Sequence, residues 1–296
     1  MDSEVLKKFK ESGRIAAEAL NYGSKLIKVG VKVIDICDAV EEKIKSLGGQ
    51  PAFPVQISRN DIAAHYCPEE GDITVLQEGD MVKLDVGAHV DGYVSDNALT
   101  VDLGDNAALV KASRDAVNAA LKLVKPGVAI GELGKAIQQV IEGYGFLPVR
   151  NLSGHGINKY TVHESPSIPN FDSGNKEELI EGQSIAIEPF ASNGAGMICE
   201  RGNPTVFMQI ARKPVRSPFA RQILKDIDQY KGLAFALRWL TKTHGVGKTK
   251  FGLNELIKAG VVRGFPPLPD VNNGLISQAE HSVLVFDKPI VITRFE

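Results

Sequence analysis

The chain has 296 residues, is 43% hydrophobic and 24% charged, and carries a net charge of −2. These values fit a globular protein of one large or two smaller domains, and the near balance excludes a global basic field for nucleic acid. Three cysteines (Cys37, Cys67, Cys199) form no CxxC pair, and neither a signal-peptide core nor a run of membrane-spanning length is present, so the expected location is cytoplasmic.

In chain order, apolar residues at helical spacing predict helices over 3–28 and 34–47, with a Gly break between them. The strands MVKLDV and ALTVDL follow, joined through Asp91-Gly92, a strong two-residue turn signal. Helices over 105–124 and 130–144 come next, and they repeat the first pair. Glu18–Val31 aligns without gaps on Asp115–Val128, and nine of the 27 positions in Glu18–Ile44 are identical in Asp115–Ile141. The strands repeat as well: LQEGDMVKLD (Leu76–Asp85) matches LIEGQSIAIE (Leu179–Glu188), and SDNALTVD (Ser95–Asp102) matches AEHSVLVF (Ala279–Phe286). The expectation is an α+β fold of two αα-β halves about a pseudo-two-fold axis, with a central antiparallel sheet covered by helices. Asp85 and Asp96 lie 11 residues apart, and Glu188 and Glu280 lie 92 apart, so the second half holds an insertion of 81 residues. A helical subdomain over about 197–268, inside a single catalytic domain spanning 1–296, accounts for it. Within it RSPFARQILKDIDQYKGLAFALRWL and LNELIKAGVV read as helices, and FPPLPDV reads as an extended return.

The repeated strands carry acids where a sheet should be apolar. With Asp91-Gly92 as the turn, Gly87 faces Asp96 and Asp85 lies on the diagonal; a turn one residue earlier sets Asp85 opposite Asp96. Both registers keep the two acids on one face. The duplication gives Glu188 and Glu280 the same relation, so four carboxylates converge. They would raise each other's pKa and destabilise the fold unless cations neutralise them, as a bridged pair of divalent metals roughly 3.5–4 Å apart does. A single strand Asp is as often an edge or turn residue as a functional one, but four acids matched pairwise by a repeat are poorly explained as solvated surface. NDIAAHYCP (Asn60–Pro68) aligns on NKYTVHESP (Asn158–Pro166), matching His65 to His163, a symmetric pair that would flank the site. His155, in NLSGHGIN, has no counterpart, which marks it as the ligand histidine. Imidazole beside carboxylates suits Mn, Fe, Co or Zn better than Mg or Ca. His89 is expected in solvent at the turn, His244 has no assigned role, and His281 should face away from Glu280.

Five ligands in the order Asp, Asp, His, Glu, Glu on a duplicated αα-β chain resemble the pita-bread metallopeptidases, specifically type 2 methionine aminopeptidases of the short archaeal form. The segments AFPVQISRNDIAAHY, KLDVGAHVDGYVSDNALTV, RNLSGHGI, VHESPSIPN, AIEPFA and QAEHSVLV carry this resemblance over essentially the whole chain. The resemblance implies that Asp85 chelates one metal, Asp96 and Glu280 bridge both, and His155 and Glu188 complete the other. It implies water activated between the metals as nucleophile, with Glu188 as general base. His163 would bind the scissile carbonyl, and His65 would contact the peptide nitrogen or protonate the leaving amine. Phe53 and Val162 would hold the substrate methionine, although a lone Phe is more often plain core. The implied partners are nascent polypeptide N-termini with a small second residue, with at most a transient ribosome contact, no membrane and no specific nucleic acid, for a monomer. ESPSIPN departs from the small residue and Gly that many relatives carry after this histidine. Two alternatives stand beside this reading. One is a prolidase or aminopeptidase P, which uses the same ligand types behind an additional N-terminal domain. The other is a non-catalytic RNA- or ribosome-binding relative, in which lost ligands would be expected.

Overall fold

Helices α1 (Ser3–Leu26), α2 (Val33–Ser46), α3 (Ala107–Leu121) and α4 (Ile130–Gly143) form where the apolar spacing predicts them. The computed structural model describes residues 1–294. Each helix pair is joined through a glycine of positive φ, Gly30 at 88° and Gly127 at 83°, at the matched places in KVGV and KPGV. The first-half strands are β1 (Gln50–Pro51), β2 (Gln56–Arg59), β3 (Met81–Val90) and β4 (Tyr93–Asp102). The second half supplies β5 (Leu147–Pro148), β6 (Ser153–Asn158), β7 (Thr161–Pro169), β8 (Ser184–Ile187) and β9 (Phe190–Ser192). The chain then runs through β10 (Val206–Gln209), α5 (Pro218–Ile227), β11 (Phe235–Ala236), α6 (Leu237–His244), α7 (Val246–Lys258) and β12 (Val262–Phe265). It closes with β13 (Ile276–Gln278), β14 (Glu280–Leu284) and β15 (Ile290–Val291). No helix among the described residues is long and apolar enough to cross a membrane.

The main sheet runs β1-β3-β4-β14-β8-β6-β7, with β2 also on β3 and β15 also on β14. All its recorded pairings are antiparallel. Strand alternation divides β3: Val82, Leu84 and Val86 pack under α1 and α2 with Ile15, Ile36 and Val40. In the second half Ile185, Ile187 and Val283 pack with Val117, Leu133 and Ile137 of α3 and α4. Each such side chain contributes about 1.5–3 kcal/mol by leaving water. The two cores thus repeat the two halves, and the opposite face of the sheet is left for the acids.

At the centre β4 pairs with β14, Asn97 opposite His281 and Ala98 opposite Glu280. The repeat of Ser95–Asp102 in Ala279–Phe286 also maps Asn97 onto His281. The pseudo-two-fold axis therefore passes through this pair. In the first hairpin Asp91 (φ 51°) and Gly92 (φ 91°) make the tight turn, Gly87 faces Asp96, and Asp85 faces Ala98. The second pair differs from the expected relation. His281 faces Ile187, so the next residues in that register, Glu280 and Glu188, are level rather than diagonal. This slip of two residues preserves the face of every acid. The ladder stops at Ile187 because Pro189 has no N–H to extend it.

Between β9 and β13 the chain builds a separate apolar cluster that includes Phe207, Ile223, Phe235, Leu240, Leu253 and Leu256. The helical reading of this stretch missed the three-stranded sheet β11-β10-β12. Its strands have two to four residues and pair across long chain separations (Phe207 with Gly264), so they leave no local periodicity. α6 fastens this unit to the first half through Arg238, which is fully buried. Arg238 donates Nε to Asp38 Oδ1 (3.2 Å), Nη1 to Cys67 Sγ (2.6 Å) and Nη2 to Glu41 Oε1. Glu41 also accepts Trp239 Nε1–H (2.8 Å) and the Val55 N–H (3.2 Å). One ion cluster therefore grips α2, the segment after Phe53 and the segment after His65.

Candidate metal centre

β3, β4, β6, β14 and the end of β8 aim Asp85, Asp96, His155, Glu280 and Glu188 at one place. Ligand atoms of Asp96, His155 and Glu280 all lie within 4.8 Å of one another. His155 Nε2 is 3.8 Å from Asp96 Oδ2 and 3.5 Å from Glu188 Oε1. Asp85 completes the group, close enough to repel Asp96 and Glu188 and approached by Gln278 Nε2 at 3.5 Å.

The electrostatics call for a positive charge among the acids. Burial raises Asp85 to about 7, and hydrogen bonds from Gln278 and Asp96 hold it back from going higher. Burial first, then mutual repulsion, pushes Asp96, Glu188 and Glu280 well above the ordinary carboxylate range. Burial lowers His155 to about 3, so its ring is neutral and its contacts with the acids are not ion pairs. His155 Nδ1 lies 3.2 Å from the carbonyl of Gly156, an acceptor only, so Nδ1 carries the proton. The Nε2 lone pair therefore points at carboxylate oxygens. Asp85 Oδ1, Asp96 Oδ1 and Glu280 Oε1 are buried with no hydrogen-bond partner. Orphaned carboxyl oxygens facing a neutral imidazole lone pair fit the lining of a cation site. An O/N set of this kind fits a divalent transition metal.

The two flanking histidines are set differently. His65 has φ 69°, uncommon for a residue with a side chain, and its loop is firmly tied. Its N–H donates to Gln56 Oε1 (2.6 Å), and at the loop's start Lys83 Nζ donates to the Asn60 carbonyl (2.7 Å). Its Nδ1 donates to the Pro266 carbonyl (3.2 Å), and burial lowers its pKa to about 4. His163 lies on β7 with its ring centroid 4.3 Å from that of His155. It is open to solvent at the cleft, yet enough protein surrounds it to lower its pKa. The β6–β7 pairing is irregular on both sides of Gly156, a break that re-aims side chains here.

Phe53 and Val162 fall in one apolar cluster with Ala52, Val94 and Leu233, bordered by Tyr160 and Tyr230. Phe53 packs on Gly87, the residue opposite Asp96, so this cluster adjoins the acids. Tyr230 and Leu233 were not anticipated, because they come from the inserted unit. Gln278 was also missed; its place two residues before Glu280 on the same face was the available signal. His89 is corrected. It is half-buried in β3, accepts the Gly92 N–H at Nδ1 (3.1 Å), meets Tyr160 edge-on at 5.6 Å, and is lowered to about 4 by burial. His244 joins α6 to α5 through Asp226 Oδ2 at 2.5 Å. His281 turns away from the acids, to Thr293 Oγ1 at 3.1 Å.

Comparison with known proteins gives this geometry its relatives. The model of Metallopeptidase family M24 matches residues 7–211. The chain is 46% identical to the methionine aminopeptidase of Archaeoglobus fulgidus and 43% identical to that of Methanocaldococcus jannaschii, in each case covering 99% of both chains. Among solved structures, a thermophilic Arx1 superposes with a TM-score of 0.87 at 19% identity, over 99% of this chain and 91% of that one, a likeness of fold alone. The chain belongs to metallopeptidase family M24, in its methionine aminopeptidase branch.

Proposed function

We propose that the chain hydrolyses the peptide bond after an N-terminal methionine, on nascent polypeptides with a small second residue. Two divalent metals would be held by Asp85, Asp96, His155, Glu188 and Glu280, with Asp96 and Glu280 coming one from each half. The observation that carries this reading is the convergence of four buried acids and one neutral imidazole from both repeats, with three oxygens left unpartnered. When bound, such cations bring water's pKa toward neutrality and polarise the substrate carbonyl.

The chain's own residues do the rest. Glu188, whose pKa burial holds high, is suited to take the proton of the attacking water. His163, at the open side, donates to the carbonyl oxygen as negative charge develops. His65 is neutral with its proton on Nδ1, so Nε2 is an acceptor. It therefore receives the N–H of the scissile amide, and the leaving amine takes its proton from Glu188, which holds the one removed from water. Phe53, Val162 and Leu233 form an apolar slot with an aromatic wall, which suits a flexible thioether side chain.

The test is Asp96→Asn. Release of free methionine from Met-Ala-Ser should fall by about 10³-fold or more, the equivalent of several kcal/mol at about 1.4 kcal/mol per tenfold. Thermal unfolding in chelator should be unchanged or higher, because one crowded charge is gone. Wild-type turnover in this variant, or faster cleavage of Ala-Pro than of Met-Ala-Ser by the native chain, would overturn the reading.

A further inference from the structure

β2 lies against β3 with Gln56 opposite Asp85, so the Gln56 side chain stands on the face that carries the acids. It is only 9% exposed, and it is neither one of the five candidate ligands nor part of the apolar slot. Its partner is a backbone group of the loop that carries His65. Next to that histidine the loop bonds to β2. The Ile57 N–H donates to the Tyr66 carbonyl (2.9 Å), and the Tyr66 N–H donates to Ser58 Oγ (3.4 Å). His65 itself has φ 69°, and its N–H donates to Gln56 Oε1 at 2.6 Å instead of to a backbone carbonyl. An N–H can only donate, so the amide oxygen of Gln56 must face it and the amide nitrogen must turn away.

A residue with a side chain keeps a left-handed backbone only where its surroundings hold it there. For His65 the hold has two sides. The inserted unit takes the ring: Nδ1 donates to the Pro266 carbonyl (3.2 Å), and Phe265 meets the ring edge-on at 5.7 Å. Gln56 takes the backbone from which the ring hangs. The Pro266 contact fixes which nitrogen carries the proton, but the direction in which the other nitrogen points depends on φ as well. His163, the match of His65 in the repeat, has the extended backbone of β7 and needs no such hold.

We propose that Gln56 is the positioning residue that fixes His65 as acceptor for the N–H of the scissile amide. This rests on the peptidase reading, in which His65 Nε2 receives that N–H, and adds the group that sets its direction. Gln56 is well placed for the task. Its backbone belongs to the strand paired with Asp85, and its side chain ends on His65, so the acceptor and the acids move as one body. An aliphatic side chain of the same length would fill the space and leave the His65 N–H without its acceptor. The backbone could then leave the left-handed region and carry Nε2 off the line of the substrate amide.

The experiment compares an amide with an ester. Methionine methyl ester has no N–H at the scissile atom, so His65 has nothing to receive from it. In the metal-loaded full chain, Gln56→Met should lower kcat/KM for Met-Ala-Ser about 10- to 100-fold and for the ester less than about threefold. Gln56→Glu, which keeps an acceptor oxygen at the same reach, should keep the native amide-to-ester ratio. Hydrogen exchange gives a second readout that needs neither metal nor turnover. In metal-free protein the His65 amide should exchange at least about tenfold faster in Gln56→Met than in the native chain. Gln56→Asn, one methylene too short to reach, should show both changes, so the proposal stays testable if the Met variant folds poorly. Equal losses on amide and ester would reduce Gln56 to a structural part, and native exchange at His65 in the variants would show that something else holds the loop; either result overturns the proposal. If the native chain cleaves neither substrate, the peptidase reading falls, and the exchange rate still decides whether Gln56 sets His65.

Discussion

At the scale of single residues, Gly87 shows how a missing side chain can place the proposed methionine slot. A Cβ at this position would lie 2.2 Å from the Phe53 ring, so the ring rests directly on the backbone opposite Asp96. Gly87→Ala should push the ring into the slot or out of it. Overpacking of this kind costs about 1–3 kcal/mol, so KM for Met-Ala-Ser should rise about 5- to 100-fold with a smaller change in kcat. An unchanged KM would separate Phe53 from methionine binding. The four acids of the centre were legible in the sequence because the repeat printed them twice, and His155 because it has no counterpart in the repeat. Phe53 and Val162 were legible only by resemblance, and Tyr230 and Leu233 not at all, since no local pattern ties the inserted unit to β3. His89 was misjudged for a related reason: its burial comes from Tyr160, which sits on a different hairpin.

At the scale of elements, the four helices of the repeat were read to within a few residues because each must bury an apolar stripe, and that need leaves a periodic record. The strands of the inserted sheet left no such record, and the two-residue slip of the second hairpin could not be read from an alignment of the halves. What seats the inserted unit is equally non-local: Arg238 of α6 against Glu41 of α2, both buried. Arg238→Met would leave Glu41 charged and without its guanidinium in a dry site. Breaking such a pair from one side costs about 3–5 kcal/mol, measurable as a lower urea midpoint. Because the same cluster reaches Cys67 and Val55, the variant should also lose activity through poorer placement of His65 and Phe53. Wild-type stability in this variant would show that the unit is seated by its apolar contacts alone.

At the scale of the whole molecule, the duplication builds a site that the fold alone does not favour. Asp85 is held at about 7 by burial, and the other three acids are raised well above their ordinary values. Without metal, these groups bind more protons in the folded than in the unfolded chain from about pH 4 to at least about pH 7. Their contribution to stability therefore declines as pH rises through that window. A divalent cation must displace those protons, so the rise in unfolding temperature that it gives should be small near pH 4 and grow as pH rises through about 7. Comparing unfolding with and without Mn(II) at each pH cancels the background from His65, His89 and His281. A metal effect independent of pH would mean that the cation binds elsewhere.

The most direct measurement is a stepwise titration of chelator-stripped protein with Co(II), counting bound metal while methionine released from Met-Ala-Ser is recorded on the same sample. The proposed function predicts two equivalents per chain, release that follows occupancy, and loss of both in Asp96→Asn and Glu280→Gln. Release that persists in stripped protein, or two bound metals with no release, would contradict it.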